Sequence, residues 1–335
     1  ASFNFSGRRG KIILPGKFAQ SLPVEGFTMK GRYEGASGIL DLDEMFLDLG
    51  SKGSLLIPAK ENYRIPLASV RVKGRYLGHA QRLEINTMDL NLQGPSATLN
   101  LVAKGFTGIA ELGHENISLD IKGSLNDLPI NQLSRYWPSK LNGDSRRWAL
   151  EHLSEGMIHQ IRAEGSFLTD DKSIKVITID GDMDISEVSI KYLSSMPPVR
   201  KTNAYIKFDK ENFNVFISDG KSNSLNITEA TVLISGLDEY DQIANIVVNI
   251  DGKFADQLAY LDHKPLEYPS AIGIDSKTIQ GEAETELKLN FIVENKLSLD
   301  DIRVSSRSRV INLKASKILL GRDINGGEIN IKIDK

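Results

Sequence analysis

The stretch "GEAETELKLNF", residues 281–291, decides how this chain is read. Successive side chains of an extended strand point to opposite faces. Ala283, Thr285, Leu287, Leu289 and Phe291 therefore share one face, and Glu282, Glu284, Glu286, Lys288 and Asn290 share the other. The same beat returns in "PSATLNLVAKG" (95–105), "ENISLDIKG" (115–123), "ANIVVNIDG" (244–252) and "GEINIKIDK" (327–335). Each stretch is a half-apolar strand. Turn-forming clusters such as Asp-Asp-Lys and Glu-Asn-Lys separate the runs, a spacing that predicts an all-β chain of antiparallel meanders. Gly123, Gly165, Gly181, Gly236, Gly252 and Gly281 are expected where runs start or stop. No fixed-period sequence repeat is present; what recurs is amphipathic strand, turn, amphipathic strand.

Bulk properties narrow the function classes. With 335 residues, 40% hydrophobic and 25% charged, the chain can bury a sizeable core and is not disordered by composition. A net charge of −3 with dispersed Lys and Arg leaves no electrostatic footprint for nucleic acid. The absence of cysteine excludes disulfides, thiolate metal sites and a cysteine nucleophile. No run approaches the ~20 apolar residues that a membrane-spanning helix requires. The chain begins "ASFNFSGRRG", and is expected to be a segment of a longer protein whose anchor or export signal lies upstream.

Three stretches depart from the strand pattern. "DLPINQLSRYWP" (127–138) places Ile130, Leu133 and Trp137 at helical spacing, with Asp127 as the expected cap and Pro138 as the stop. "GDSRRWALEHLSEG" (143–156) predicts a helix capped by Asp144 and ended near Gly156. "KFADQLAYLDHKP" (253–265) puts Phe254, Leu258 and Leu261 on one helical face, giving a short helix over 253–262. So few helices cannot cover a sheet of this extent. Its apolar face must meet another sheet or a ligand.

Catalytic signatures are missing. His79, His114, His152, His159 and His263 form no recognised metal-ligand spacing. There is no nucleophile elbow, phosphate loop or dinucleotide fingerprint. "GRDINGGEI" (321–329) reads as two strands joined by a hairpin turn on Asn325-Gly326-Gly327. The pairs Asp41/Asp43 and Asp182/Asp184 read as solvated strand faces. Arg146, Arg147 and Trp148 form a small basic-aromatic cluster at a helix start, suited to a structural ion pair or to a lipid head group. Tyr136, Trp137 and Trp148 are expected to pack the helices onto the sheet.

Taken in order, several blocks resemble one family. "LSRYWPSKLNGDSRRWALEHLSEGMIHQIRAEGSF" (133–167), with Tyr136, Trp137, Pro138, Arg147, Trp148 and Gly156, is similar to the central signature of the AsmA-like superfamily in its YhdP-type branch. Residues 180–220, with Tyr192, Pro197, Pro198 and Gly220, resemble the next block, and 258–291 a third. The resemblance covers roughly 117–335 and is compositional before that. AsmA-like and TamB-like proteins are in turn similar to bridge-type lipid transfer proteins. The resemblance implies a mainly β fold, a long curled antiparallel sheet forming a half-open groove with a few short helices. It implies a periplasmic segment of a protein anchored in the bacterial inner membrane. Such a segment carries glycerophospholipid toward the outer membrane, with outer-membrane or periplasmic proteins as further partners.

On this reading, 1–126 forms an N-terminal groove segment, 127–156 a helical insertion and 157–335 a C-terminal groove segment. Ile117, Leu119, Ile121, Leu287, Leu289, Phe291, Ile329, Ile331 and Ile333 are expected to line the groove; Arg146, Arg147 and Trp148 are the head-group or structural contacts. No catalytic residue, metal or cofactor is expected. The rival reading is a structural or adhesive protein of closed β-sandwiches, with cores sealed between sheets ~10 Å apart. An enzyme with paired carboxylates is a further alternative, but no pair is nominated by the sequence.

Overall fold

The computed structural model describes residues 1–14, 20–57, 63–106, 117–138, 143–169, 174–192, 195–264, 266–271, 273–293, 301–319 and 322–334. The chain is mainly β. Eighteen strands belong to one antiparallel sheet that does not close, and a separate two-stranded hairpin and a few short helices accompany it. By contacts the chain divides into two compact units, Ala1–Arg147 with Ile158–Met183, and Trp148–Met157 with Asp184–Lys335.

In the first unit, β1 (Ser2–Leu14), β2 (Gln20–Glu34), β3 (Ile39–Asp48), β6 (Ser69–Leu77), β7 (Arg82–Asn91), β8 (Ser96–Lys104) and β9 (Ile117–Pro129) pair in sequence order, each antiparallel to the one before. The hairpin β4 (Ser54–Ile57) and β5 (Tyr63–Pro66) interrupts the meander between β3 and β6. After β9 come two short helices, α1 (Leu133–Tyr136) and α2 (Gly143–His152), then β10 (Leu153–Ser154). β11 (Met157–Thr169) returns to pair with β9.

β12 (Ile174–Ile190) follows β11. In the second unit, β13 (Val199–Asp209), β14 (Asn212–Ser222), β15 (Leu225–Ser235), β16 (Ile243–Lys253), β17 (Ile279–Ile292) and β18 (Arg303–Leu319) form another sequential meander. Between β16 and β17 lie α3 (Phe254–Leu261) and α4 (Tyr268–Ala271). β19 (Arg322–Asn325) and β20 (Glu328–Asp334) both pair with β18.

Several local expectations are corrected. Asp127 does not cap a helix: it lies in β9 in the left-handed region, φ 58°, and only Leu133–Tyr136 is α-helical there. Asp144 lies inside the first turn of α2, which ends at His152, before the left-handed Glu155 and Gly156. Gly326-Gly327 is not a hairpin turn, because the strands on either side both pair along β18, and Gly326 N–H donates to Leu313 O (2.7 Å). The two glycines instead lie opposite a kink of β18 at Asn312, φ 53°. Gly123, Gly165, Gly181 and Gly281 lie inside strands rather than at their ends. The strands simply outrun their alternating stretches; β12 and β18 each have 17 residues.

The reason is β-bulging. A bulge inserts an extra residue, bends the strand and shifts its alternation by one. In β7, Ile85 pairs with Leu101 but the next apolar residue on that face is Met88, opposite Leu99, so Asn86-Thr87 stands against Asn100 alone. In β3, Leu42 and Met45 are likewise both on the apolar face, although three apart. Arg9, Glu187, Lys201 and Asn312 mark further kinks with positive φ.

A candidate lipid-facing apolar surface

Directly opposed residues of an antiparallel pair share a face. Following register in the first unit yields four rows. One runs Phe27, Leu47, Val70, Leu90, Ala97, Leu125, and the next Met29, Met45, Val72, Met88, Leu99, Gly123. The third is Gly31, Leu42, Gly74, Ile85, Leu101, Ile121, and the fourth Tyr33, Leu40, Tyr76, Leu83, Ala103, Leu119. No charged side chain enters any of them.

The outer two rows are largely covered, with Tyr33 of the fourth row 50% exposed. At one end Leu22, Val24, Leu49, Leu67 and Leu92 form a buried cluster with Leu55 and Ile65 of the β4–β5 hairpin and Tyr136 of α1. Tyr136 donates its hydroxyl to Leu92 O (2.7 Å), and Tyr63 donates to Ser134 O (3.0 Å). At the other end Phe106 closes over Ala103 and Ile117, with Tyr76 edge-on at 5.9 Å. In the two middle rows Met29, Met45, Met88, Leu99, Leu42, Ile85, Leu101 and Ile121 are half-buried, and Val72 is buried. Three of the chain's six methionines stand in one row. Methionine is unbranched and adapts to irregular partners.

The second unit repeats this plan. One row is Ile206, Val215, Val232, Ile246, Leu289, Val304; its neighbour is Ala204, Ile217, Ala230, Val248, Leu287, Ser306, Ile333. Phe291 stands opposite Ala244. Ile279, Ala283, Val310, Leu313 and Ala315 form a buried cluster covered by Phe254 and Leu258 of α3, with Ile329 and Ile331 packed against it. Gln257 of α3, 7% exposed, donates from Nε2 to Ala283 O (2.8 Å) and accepts from Thr285 Oγ1 at 2.6 Å. At the far side of α3 the Tyr260 hydroxyl meets that of Tyr192; burial, with Tyr260 beside it, holds the Tyr192 phenol protonated well above its usual range.

The opposite face is largely polar, although Phe216, Leu233 and Ile311 are exposed on it. Arg75 pairs with Asp41, Arg162 with Asp182 (2.6 Å), Lys122 with Glu164 (2.9 Å) and Arg309 with Glu328 (2.8 Å). The hydrogen bond from Arg75 lowers the Asp41 pKa, and that from Arg309 lowers the Glu328 pKa. A cavity of about 520 Å³ opens among Asp251, Glu284, Glu286, Arg307, Arg309 and Lys332, whose charges balance. Among the described residues there is no cluster of metal-ligating side chains, and no helix is long and apolar enough to cross a membrane.

Each sequence-nominated residue now has a place. Leu119 and Ile121 lie in the first unit's rows, and Ile117, 2% exposed, is sealed beneath Phe106. Leu287, Leu289, Phe291, Ile331 and Ile333 share the second unit's apolar face; Ile329 shares it at the covered end, and Ile333 is 52% exposed on β20. Arg146 donates to Trp137 O (2.7 Å), Arg147 pairs with Asp144 (2.6 Å), and Trp148 stacks on His152 at 5.2 Å. Apart from Ile121, the middle rows of the first unit were missed. Their signal was a slip of parity, two apolar residues three apart inside one strand, as in Leu42/Met45 and Ile85/Met88.

Among protein-family models, one described as YhdP protein matches residues 18–322. No curated protein and no solved structure matches the chain. The YhdP family is one of bacterial envelope proteins, and it points to AsmA-like lipid transport rather than to enzymatic activity. With an unclosed antiparallel sheet, apolar on one face and ion-paired on the other, and a family match over nearly its whole length, the chain belongs to the YhdP protein family.

Proposed function

We propose that each unit holds lipid acyl chains against its apolar face, as a periplasmic segment of a transporter moving glycerophospholipid between the inner and outer membranes. The inner membrane would be engaged through an anchor outside these residues, and periplasmic or outer-membrane proteins would receive the cargo. The carrying observation is the register: uncharged, mostly apolar residues continue row by row across six strands in each unit. Contiguous apolar surface on one face of a sheet marks a site that a partner or ligand covers. Acyl chains would offset that exposure at ~0.8 kcal/mol per buried CH₂. Hydrocarbon contacts are non-directional, so a lipid can slide along the rows without breaking fixed bonds.

Native mass spectrometry of the purified chain, with lipid extraction from the same sample, tests this. Co-purifying glycerophospholipid is expected. Leu289→Asp and Leu101→Asp should reduce it in a folded protein, whereas Lys288→Asp on the polar face should not. A lipid-free wild-type chain, or loading indifferent to both apolar-face substitutions, would sink the reading.

A further inference from the structure

The second unit's apolar face carries a polar step on β17 and β18. Thr285 of β17 stands opposite Ser308 of β18, and Ser306, two residues before Ser308, stands opposite Leu287. Val304 and Val310 lie beyond them on the same face of β18, and Ile331 and Ile333 flank them on β20. On this face the hydroxyls have aliphatic neighbours, Leu287 on one side and Ile331 and Ile333 on the other, Ile333 being 52% exposed. The first unit's four rows contain no serine or threonine.

These hydroxyls are not equivalent. Thr285 Oγ1 donates to Gln257 Oε1 (2.6 Å) and lies 2.8 Å from Ser308 Oγ. One hydroxyl has one hydrogen, so Ser308 donates to Thr285, and both donors are used. Ser306 makes no side-chain hydrogen bond among the described residues. It is half-buried beside Leu287. Its donor is left for an acceptor that a ligand brings to this face.

We propose that Ser306 donates to an ester carbonyl of a diacyl lipid whose chains lie against Leu287 and Leu289, the Gln257–Thr285–Ser308 cluster holding the polar step in place. The inference rests on the acyl-chain reading above. An ester carbonyl is the acceptor that lies directly at the head of an acyl chain, where Ser306 meets Leu287. The step gives the lipid a preferred resting position on the second unit that the first unit does not offer.

The delipidated chain is loaded with dioleoylphosphatidylglycerol or with its ether-linked analogue, which has the same head group and chains but no ester carbonyl, and binding is compared by competition in native mass spectrometry. The wild type should prefer the ester lipid about fivefold, the worth of one neutral hydrogen bond. Ser306→Ala should erase the preference while still binding the ether lipid, and Ser306→Thr should keep it. Equal binding of the two lipids by wild type, or a preference that survives Ser306→Ala, overturns the assignment and leaves the acyl-chain reading intact. Binding of neither lipid fails that reading instead. Oleate separates the two sources of a carbonyl: dependence on Ser306 for oleate alone would overturn the diacyl assignment.

Discussion

Gly31 and Gly74 sit on the first unit's apolar face beside its bulges, and both are buried. A Cβ at Gly31 would meet Asp41 O and the Phe3 ring, and one at Gly74 would meet Glu84 O. Backbone cannot give way as a side-chain tip can. Gly31→Ala and Gly74→Ala should each destabilise by about 1–3 kcal/mol, read from urea unfolding midpoints. Gly143→Ala, where nothing lies within 4 Å, should be neutral or slightly stabilising. On the polar face, Asp41, Asp209 and Glu328 have pKa values lowered by hydrogen bonds, from Arg75, from the Glu211 backbone and from Arg309 respectively. A pKa lowered by folding means that the unfolded chain binds the proton more readily. The stabilisation is then complete above the ordinary carboxylate value of about 4 and is lost as pH falls below it toward the folded values. In an NMR titration, Arg75→Gln should return Asp41 toward its ordinary value; an Asp41 that stays low would assign the effect to Arg32 instead.

Among elements, α3 is attached to the sheet by more than hydrocarbon. Gln257→Ala would leave Ala283 O and the Thr285 hydroxyl without their buried partner, at a cost of about 1–3 kcal/mol. Hydrogen exchange should then rise in α3 and in β17 near Ala283 before the rest of the sheet. The bulges make a second test. Lys201 in β13 has φ 53°, a region where a β-branched side chain clashes with its own backbone. Lys201→Val should destabilise by about 1–2 kcal/mol, and Lys201→Gly should not; equal effects would mean that the kink is not held in the left-handed region. The element map was legible where alternation was clean, as in β8, β16 and β17. It failed where one residue broke the beat. Asp127 reads as a cap in sequence because a cap and a strand-end kink both favour Asp, and only the continuation of β9 to Pro129 distinguishes them. Gly326-Gly327 reads as a hairpin for the same reason.

For the whole molecule, the choice was between apolar faces that meet each other and faces left for a ligand. Alternation is identical in the two cases. An unclosed sheet and the half-buried middle rows of the first unit are what the second requires. A hydrophobic reporter dye should bind the delipidated chain strongly and be displaced by phospholipid, whereas Leu101→Asp should weaken dye binding in the first unit without shifting the unfolding midpoint by more than about 1–3 kcal/mol. A delipidated chain that binds no dye would mean that its apolar faces are already covered.

By itself the sequence determined the strand period, the polar and apolar faces, the few helices and, through ordered blocks such as Tyr136-Trp137-Pro138, the family. These are local properties, set by side-chain alternation and backbone preference within a few residues. Tertiary structure alone decided which apolar residues are sealed and which remain open. Ile117 and Ile121 are indistinguishable in "ISLDI", yet one lies beneath Phe106 and the other in an uncovered row. It also decided that Thr285, Ser306 and Ser308 form one polar step. Cross-strand register places them side by side, and register depends on every bulge in between.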